Sequence, residues 1–209
     1  VFTSSVKYTA MLLVPSTIAV MVLSKPMINT LFGEKWTYAP FFLTLHVTNN
    51  LFVLFGSLVL SSLLAGLGET KMLMKLSMLT LSFGLLLAFL LIPTLGIVGV
   101  ILGNILAGLP SMYCGLHWIW KHYQVRANFQ ISLRIFTASS IAAATTYFSL
   151  NFFHSVEWAR LVIGAMTFLT VYLVAAPLLG AINQSDINNL RAMLSGLGFI
   201  SKLVNIPLT

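Results

Sequence analysis

The sequence predicts an all-α polytopic membrane protein: a bundle of six spanning helices followed by a short C-terminal amphipathic helix. Three observations predict it. Charged residues make up 7% of the chain and hydrophobic residues 58%, where a soluble domain would carry about a quarter charged residues. Apolar runs recur at the length of roughly 20 residues that an α-helix needs to cross a bilayer. Trp36, Tyr38, Trp118, Trp120, Tyr123 and Trp158 flank those runs, as amphipathic rings do at headgroup depth. The runs are too long for strands and show no period-two alternation.

The expected spans follow in order. The first covers Val6–Ser24, with a kink at Pro15, and Lys25-Pro26 marks its outer end. The second, Tyr38–Gly66, is long enough to tilt. The third, Met72–Ile92, ends at Pro93, and "PTLG" at 93–96 turns the chain tightly into the fourth, Gly96–Trp120, which contains Pro110. The fifth is Ile131–Phe153 and the sixth Leu161–Ile182. Residues 1–182 therefore read as one transmembrane domain. Residues 183–209 read as a cytoplasmic tail in which Ser185 or Asp186 caps a helix carrying Ile187, Leu190 and Leu194 on one face. "GLGET" at 66–70 superficially suggests a phosphate loop, but its glycines fit a helix C-cap.

Charge placement gives an orientation. Lys7, Lys71, Lys75, Lys121, Arg126, Arg134, Arg191 and Lys202 fall on one side of the six-span zigzag, and Lys25, Lys35 and Arg160 on the other. The positive-inside rule then puts both termini in the cytoplasm of a plasma-membrane protein. The net charge of +7 is loop charge of this kind. It forms no continuous basic stripe, so nucleic acid is not an expected partner. No basic segment with a small-residue cleavage site opens the sequence, so no signal peptide is expected within it.

Catalytic patterns are missing. The four acids, Glu34, Glu69, Glu157 and Asp186, all lie outside the spans, whereas a membrane hydrolase or carboxylate proton relay needs at least one inside. Cys114 and His117 form a lone C-x-x-H, far short of a zinc site. No Walker sequence is present. The chain is read as no enzyme and as requiring no cofactor. Small residues inside spans, namely Gly99, Gly103 and Ala107, and Ala138, Ser139, Ser140, Ala142, Ala143 and Ala144, suit close helix packing.

The polar outliers are the candidate site. On a regular α-helix Asn50 lies about 40° from His46, Ser57 about 20°, Ser61 about 60°, and Asn49 about 60° on the other side. Leu51, Phe52, Phe55 and Leu58 fall on the opposite face. The stripe can serve interhelical hydrogen bonds or wall a hydrated cavity. Arg134, three residues into the fifth run, either snorkels to the headgroups or faces the bundle and attracts an anion such as a phosphate.

Two stretches carry a family resemblance. "VKYTAMLLVPSTIAVMVLSKPMINTLFGEKWTYA" and "LAGLGETKMLMKLSMLTLSFGLLLAFLLIPTLGIVGVILGNIL" resemble the C-terminal half of polysaccharide flippases in the multidrug/oligosaccharidyl-lipid/polysaccharide exporter superfamily. The first has a proline-containing helix, a short apolar segment ending in "LFG" and an aromatic start to the next span. The second has a glycine-plus-lysine loop and an "IPTLGIVG" turn. The resemblance implies a protein of about twice this length, with two six-helix halves around a cavity and alternating access to a lipid-linked sugar. It implies the N-terminal half of the same protein and membrane lipids as partners. His46, Asn49, Asn50, Ser57 and Arg134 become candidate cavity residues. Alternatives are a drug or small-cation exporter of the same superfamily, which favours an acidic cavity residue, and a non-transporting assembly subunit.

Overall fold

The computed structural model describes residues 2–124, 129–152 and 156–182. Among these residues the chain forms seven α-helices and one 3-10 helix, with no strand. The helices are α1 (Phe2–Phe32), α2 (Ala39–Val47), α3 (Ser57–Gly66), α4 (Thr70–Leu95), α5 (Ile97–Tyr123), α6 (Phe129–Phe152) and α7 (Glu157–Leu178). The 3-10 segment Thr48–Phe55 lies between α2 and α3. Four helices, α1, α4, α5 and α7, are long and apolar enough to cross a membrane, and the bent run from α2 to α3 makes a fifth if it counts as one span. The 24-residue α6 is long enough but falls short in apolarity. The expected C-terminal helix, with Ser185, Asp186, Ile187, Leu190 and Leu194, lies outside the described residues.

Two helix ends expected at prolines lie further along the chain. The first helix does not stop at Ser24 but runs through Pro26 to Phe32. Proline removes one N–H and crowds one carbonyl, which kinks a helix in an apolar setting rather than ending it when other groups take over the freed carbonyl. Pro15 shows how: the carbonyl four residues back belongs to Met11, and the Tyr172 hydroxyl of α7 donates to it at 3.0 Å. Pro93 likewise stays inside α4. The reversal into α5 is made by Gly96 alone, at φ 56° and ψ −127°, a conformation that glycine adopts without a Cβ clash.

The second span is the largest departure. Instead of one continuous helix it is α2, a 3-10 segment and α3, with a 54° bend at the break. Gly56 sits at the break in the left-handed region, φ 86°, and a Cβ there would lie 3.0 Å from Val6 Cγ2 and 3.2 Å from Phe2 Cζ of α1. Glycine is thus required both for the backbone turn and for the close approach of α1. An eight-residue 3-10 run is unusually long, and such runs mark hinges or strained sequence.

Helix ends follow known chemistry. After α3, Gly68 donates to Ala65 O at 3.1 Å and Glu69 to Leu64 O at 2.9 Å, the Schellman pattern of a left-handed glycine cap. "GLGET" is therefore a helix stop. α7 ends in the same way, with Gly180 N–H donating to Pro177 O and Ala181 N–H to Ala176 O.

Packing divides the molecule in two. The first unit is α1, α6 and α7 with the 3-10 segment, around Ala10, Val14, Ile18, Val53, Ile135, Ala138, Ala142, Phe168, Tyr172 and Ala176. The second is α3 with the α4–α5 hairpin, around Leu60, Leu64, Leu76 and Ile119. The bent span joins them: Val53 belongs to the first core, Leu60 and Leu64 to the second, and Gly56 lies between.

Within the hairpin, a Cβ on Gly99 would collide with the Leu91 carbonyl. Gly103 faces Leu87, and Gly84 faces Ala107. The GxxxG pattern is therefore a backbone-to-backbone packing surface, as expected of small residues in lipid.

Candidate functional site: an uncharged polar pocket beside the bent span

The pocket lies where the bent span meets the hairpin, with a volume of about 250 Å³. Asn49, Asn50 and Val53 enter from the 3-10 segment and Ser57 and Ser61 from α3; Ser77 and Thr80 come from α4, and Ser111 from α5. Among the described residues no charged side chain lines it.

Each polar group is placed by a local feature. In the hairpin register that pairs Gly99 with Leu91 and Gly103 with Leu87, Thr80 comes opposite Ser111, and their hydroxyl oxygens lie 2.7 Å apart with Ser111 accepting. Ser111 itself donates to Gly108 O at 3.0 Å, and Ser77 donates to Leu73 O at 3.0 Å. Both are the helical back-bonds that serine makes in apolar surroundings. Asn49, Asn50, Ser57 and Ser61 are different. Their side chains make no hydrogen bond to another described residue, and both asparagines are exposed.

Three of the five expected site residues, Asn49, Asn50 and Ser57, come together here. His46 does not; it is exposed in the last turn of α2, two residues before the 3-10 segment, and does not line the pocket. Arg134 is also elsewhere. Its Nη1 donates to Gly180 O at 3.4 Å, beyond the C-terminus of α7. A cation there complements the helix dipole, typically by about 0.3–1 kcal/mol. Arg134 thus caps a helix end and takes no part in the pocket.

The single-face geometry expected for the polar stripe is corrected as well. Each 3-10 residue turns about 20° further than an α-helical one, and the 54° bend at Gly56 redirects α3. Phe52 and Leu58, expected on the opposite face, consequently also line the pocket. Ser77, Thr80 and Ser111 were missed by sequence reasoning. Their signal was present as hydroxyls within two otherwise apolar helices, with Ser77 and Thr80 spaced i, i+3 to share a face.

The remaining polar clusters among the described residues offer no alternative centre. Among the described residues no three His, Cys, Asp or Glu side chains are grouped to hold a metal. Glu157 and Arg160 pair at 3.0 Å at the start of α7, far along the chain from the pocket. No protein-family model, curated protein or solved structure matches this chain.

Proposed function

We propose that this chain is one half of a membrane transporter, and that its pocket receives the sugar portion of a lipid-linked oligosaccharide during translocation across the cell membrane. The observation that carries the reading is the lining. Asn49, Asn50, Ser57 and Ser61 offer amide and hydroxyl groups with no partner among the described residues, beside the Thr80–Ser111 pair. Uncharged amides and hydroxyls match a polyhydroxylated ligand, which needs both donors and acceptors at each position. A cation exporter would instead call for a carboxylate in the pocket, and none lines it among the described residues.

The wider architecture in this reading is six spans, with the bent run and α6 added to the four apolar helices. Both termini of the six-span bundle face the cytoplasm, and a second six-span half lies across the cavity. In support, Lys7, Lys71, Lys75, Lys121 and Arg134 lie toward one end of an alternating helix order, and Lys25, Lys35 and Arg160 toward the other. The resemblance of the two quoted stretches to polysaccharide flippases supports the substrate class. Alternating access would use the bend at Gly56 and would involve no covalent chemistry.

The test is transport by the full-length protein in proteoliposomes carrying a fluorescent lipid-linked oligosaccharide. A triple Asn49→Ala, Asn50→Ala, Ser111→Ala variant should slow translocation by about tenfold or more, since each lost hydrogen bond is worth about 1 kcal/mol. Variants His46→Ala and Arg134→Gln, outside the pocket, should stay within about twofold of the parent. Equal rates for the triple variant and the parent would remove the pocket from the pathway.

A further inference from the structure

At the end of the hairpin, where α4 begins and α5 finishes, basic and aromatic side chains concentrate. Lys71 and Lys75 are exposed in the first two turns of α4, and Lys121 and His122 are exposed in the last turn of α5. The two lysines of α4 are four residues apart and so share one flank of the helix. Leu76 packs on Gly115, its Cδ1 2.9 Å from where a Cβ would stand, which fixes the antiparallel register and holds the three lysines at the same end.

The aromatic groups there are preorganised. Trp118 stacks on His122 with ring centroids 4.3 Å apart and lies 5.9 Å from Tyr123. His122 Nδ1 is 3.0 Å from Trp118 O. Among the described residues the acid at this end is Glu69, which accepts the Tyr123 hydroxyl hydrogen bond at 3.4 Å and so ties the end of α5 to the start of α4. Three exposed lysines thus share this end of the hairpin with Glu69, which is hydrogen-bonded to Tyr123. Trp120 and Tyr123 are 40% and 38% exposed, the partial exposure of rings that sit at a bilayer interface.

We infer that this end of the α4–α5 hairpin is a docking surface for the headgroups of anionic phospholipids. Trp118, Trp120 and Tyr123 set the depth of the hairpin at the interface, and Lys71, Lys75 and Lys121 contact the phosphates of the surrounding leaflet. Electrostatic attraction of this kind contributes about fivefold in partitioning per lysine near an anionic surface, so the three together favour anionic over zwitterionic lipid by about a hundredfold at low salt. The surface rests on the hairpin crossing a membrane and is independent of what the pocket carries.

The experiment uses the full chain in nanodiscs of phosphatidylcholine, with phosphatidylglycerol replacing part of it, and follows the unfolding midpoint. The parent should gain stability with phosphatidylglycerol, and the gain should vanish near 1 M salt, where screening acts within about 3 Å. Lys71→Gln, Lys75→Gln, Lys121→Gln combined should remove most of the gain, leaving only what Lys7 and Arg134 at the same end supply, and the corresponding arginine variant should keep it. An undiminished gain in the glutamine variant overturns the inference, as does an equal gain from inorganic phosphate in phosphatidylcholine alone.

A second measurement leaves the lysines intact. With Trp36 and Trp158 replaced by Phe, brominated phosphatidylglycerol should quench Trp118 and Trp120 more strongly than brominated phosphatidylcholine at equal mole fraction. Equal quenching also overturns the inference.

Discussion

The two packing units of this chain use apolarity in opposite ways. In the α4–α5 hairpin, α4 contains the most apolar stretch of the four candidate spans, yet no residue in that stretch is buried. Phe89 is 85% exposed and Leu81, Leu85, Leu86 and Leu90 all face outward. In the α1–α6–α7 unit, α6 is the long helix that falls short of the apolarity of a span, and it supplies Ile135, Ala138, Ser139, Ala142 and Thr146 at 0% exposure. Soluble-protein intuition would put α4 in the core and α6 at the surface. Where lipid is the solvent, greasy side chains gain nothing by being inside, and small residues win the core because they let backbones approach. The hydroxyls of Ser139 and Thr146 do not spoil that core, because each donates to the carbonyl four residues back, at 2.8 and 2.7 Å.

The same contrast separates a packed interior from a pocket. On α6 the hydroxyls of Thr137, Ser139, Ser140, Thr145 and Thr146 each donate to a carbonyl of their own helix. Asparagine amides at positions 49 and 50 sit in a 3-10 segment beside a bend and find no partner among the described residues. Polar residues of comparable abundance in two parts of one chain therefore end as packing in one and as an open lining in the other.

Three substitutions would break or sharpen this comparison, and each is read as the unfolding free energy in mixed micelles. The largest effect is expected from Gly99→Val. Its side chain would meet the Leu91 carbonyl, which is backbone and cannot rotate away, so the hairpin should lose about 3 kcal/mol. A loss near zero would mean that the hairpin is not held by close backbone approach.

Next comes Tyr172→Phe in the three-helix unit. It removes the donor to the Met11 carbonyl that Pro15 leaves without its helical partner, and should cost about 1 kcal/mol. Restoring the N–H with Pro15→Ala in the same chain should recover most of that loss; full additivity of the two changes would sever the link between them. The smallest effect belongs to Phe89→Ala. A large aromatic residue is deleted, but at 85% exposure the change should stay within about 0.5 kcal/mol. A cost of several kcal/mol would show that α4 is covered by protein when the full assembly forms.

Most of the helix inventory was legible in the sequence, and its mistakes are instructive. Ends set by glycine were read correctly at Gly66–Gly68, because a left-handed cap is local chemistry. Ends assigned to proline were wrong at Ser24 and Pro93, because whether a proline stops a helix depends on who takes the freed carbonyl. Tyr172, which takes the Met11 carbonyl, is 161 residues away. The candidate site was legible in part. Asn49, Asn50 and Ser57 stood out as polar groups in an apolar run, while His46 and Arg134 stood out equally and lie elsewhere.

The sequence by itself determined that this chain is helical, where its apolar segments lie, and that uncharged polar residues cluster in the second of them. Those properties follow from run length, residue type and local breakers, all of which act over a few turns. Only the tertiary structure decided that the second segment breaks at Gly56, because the left-handed turn is fixed by the approach of Phe2 and Val6 from α1. It also decided that Ser77, Thr80 and Ser111 complete the pocket, because the glycine register of α4 against α5 sets which hydroxyls meet. Contacts between segments distant in the chain settled the site, and no local pattern encodes them.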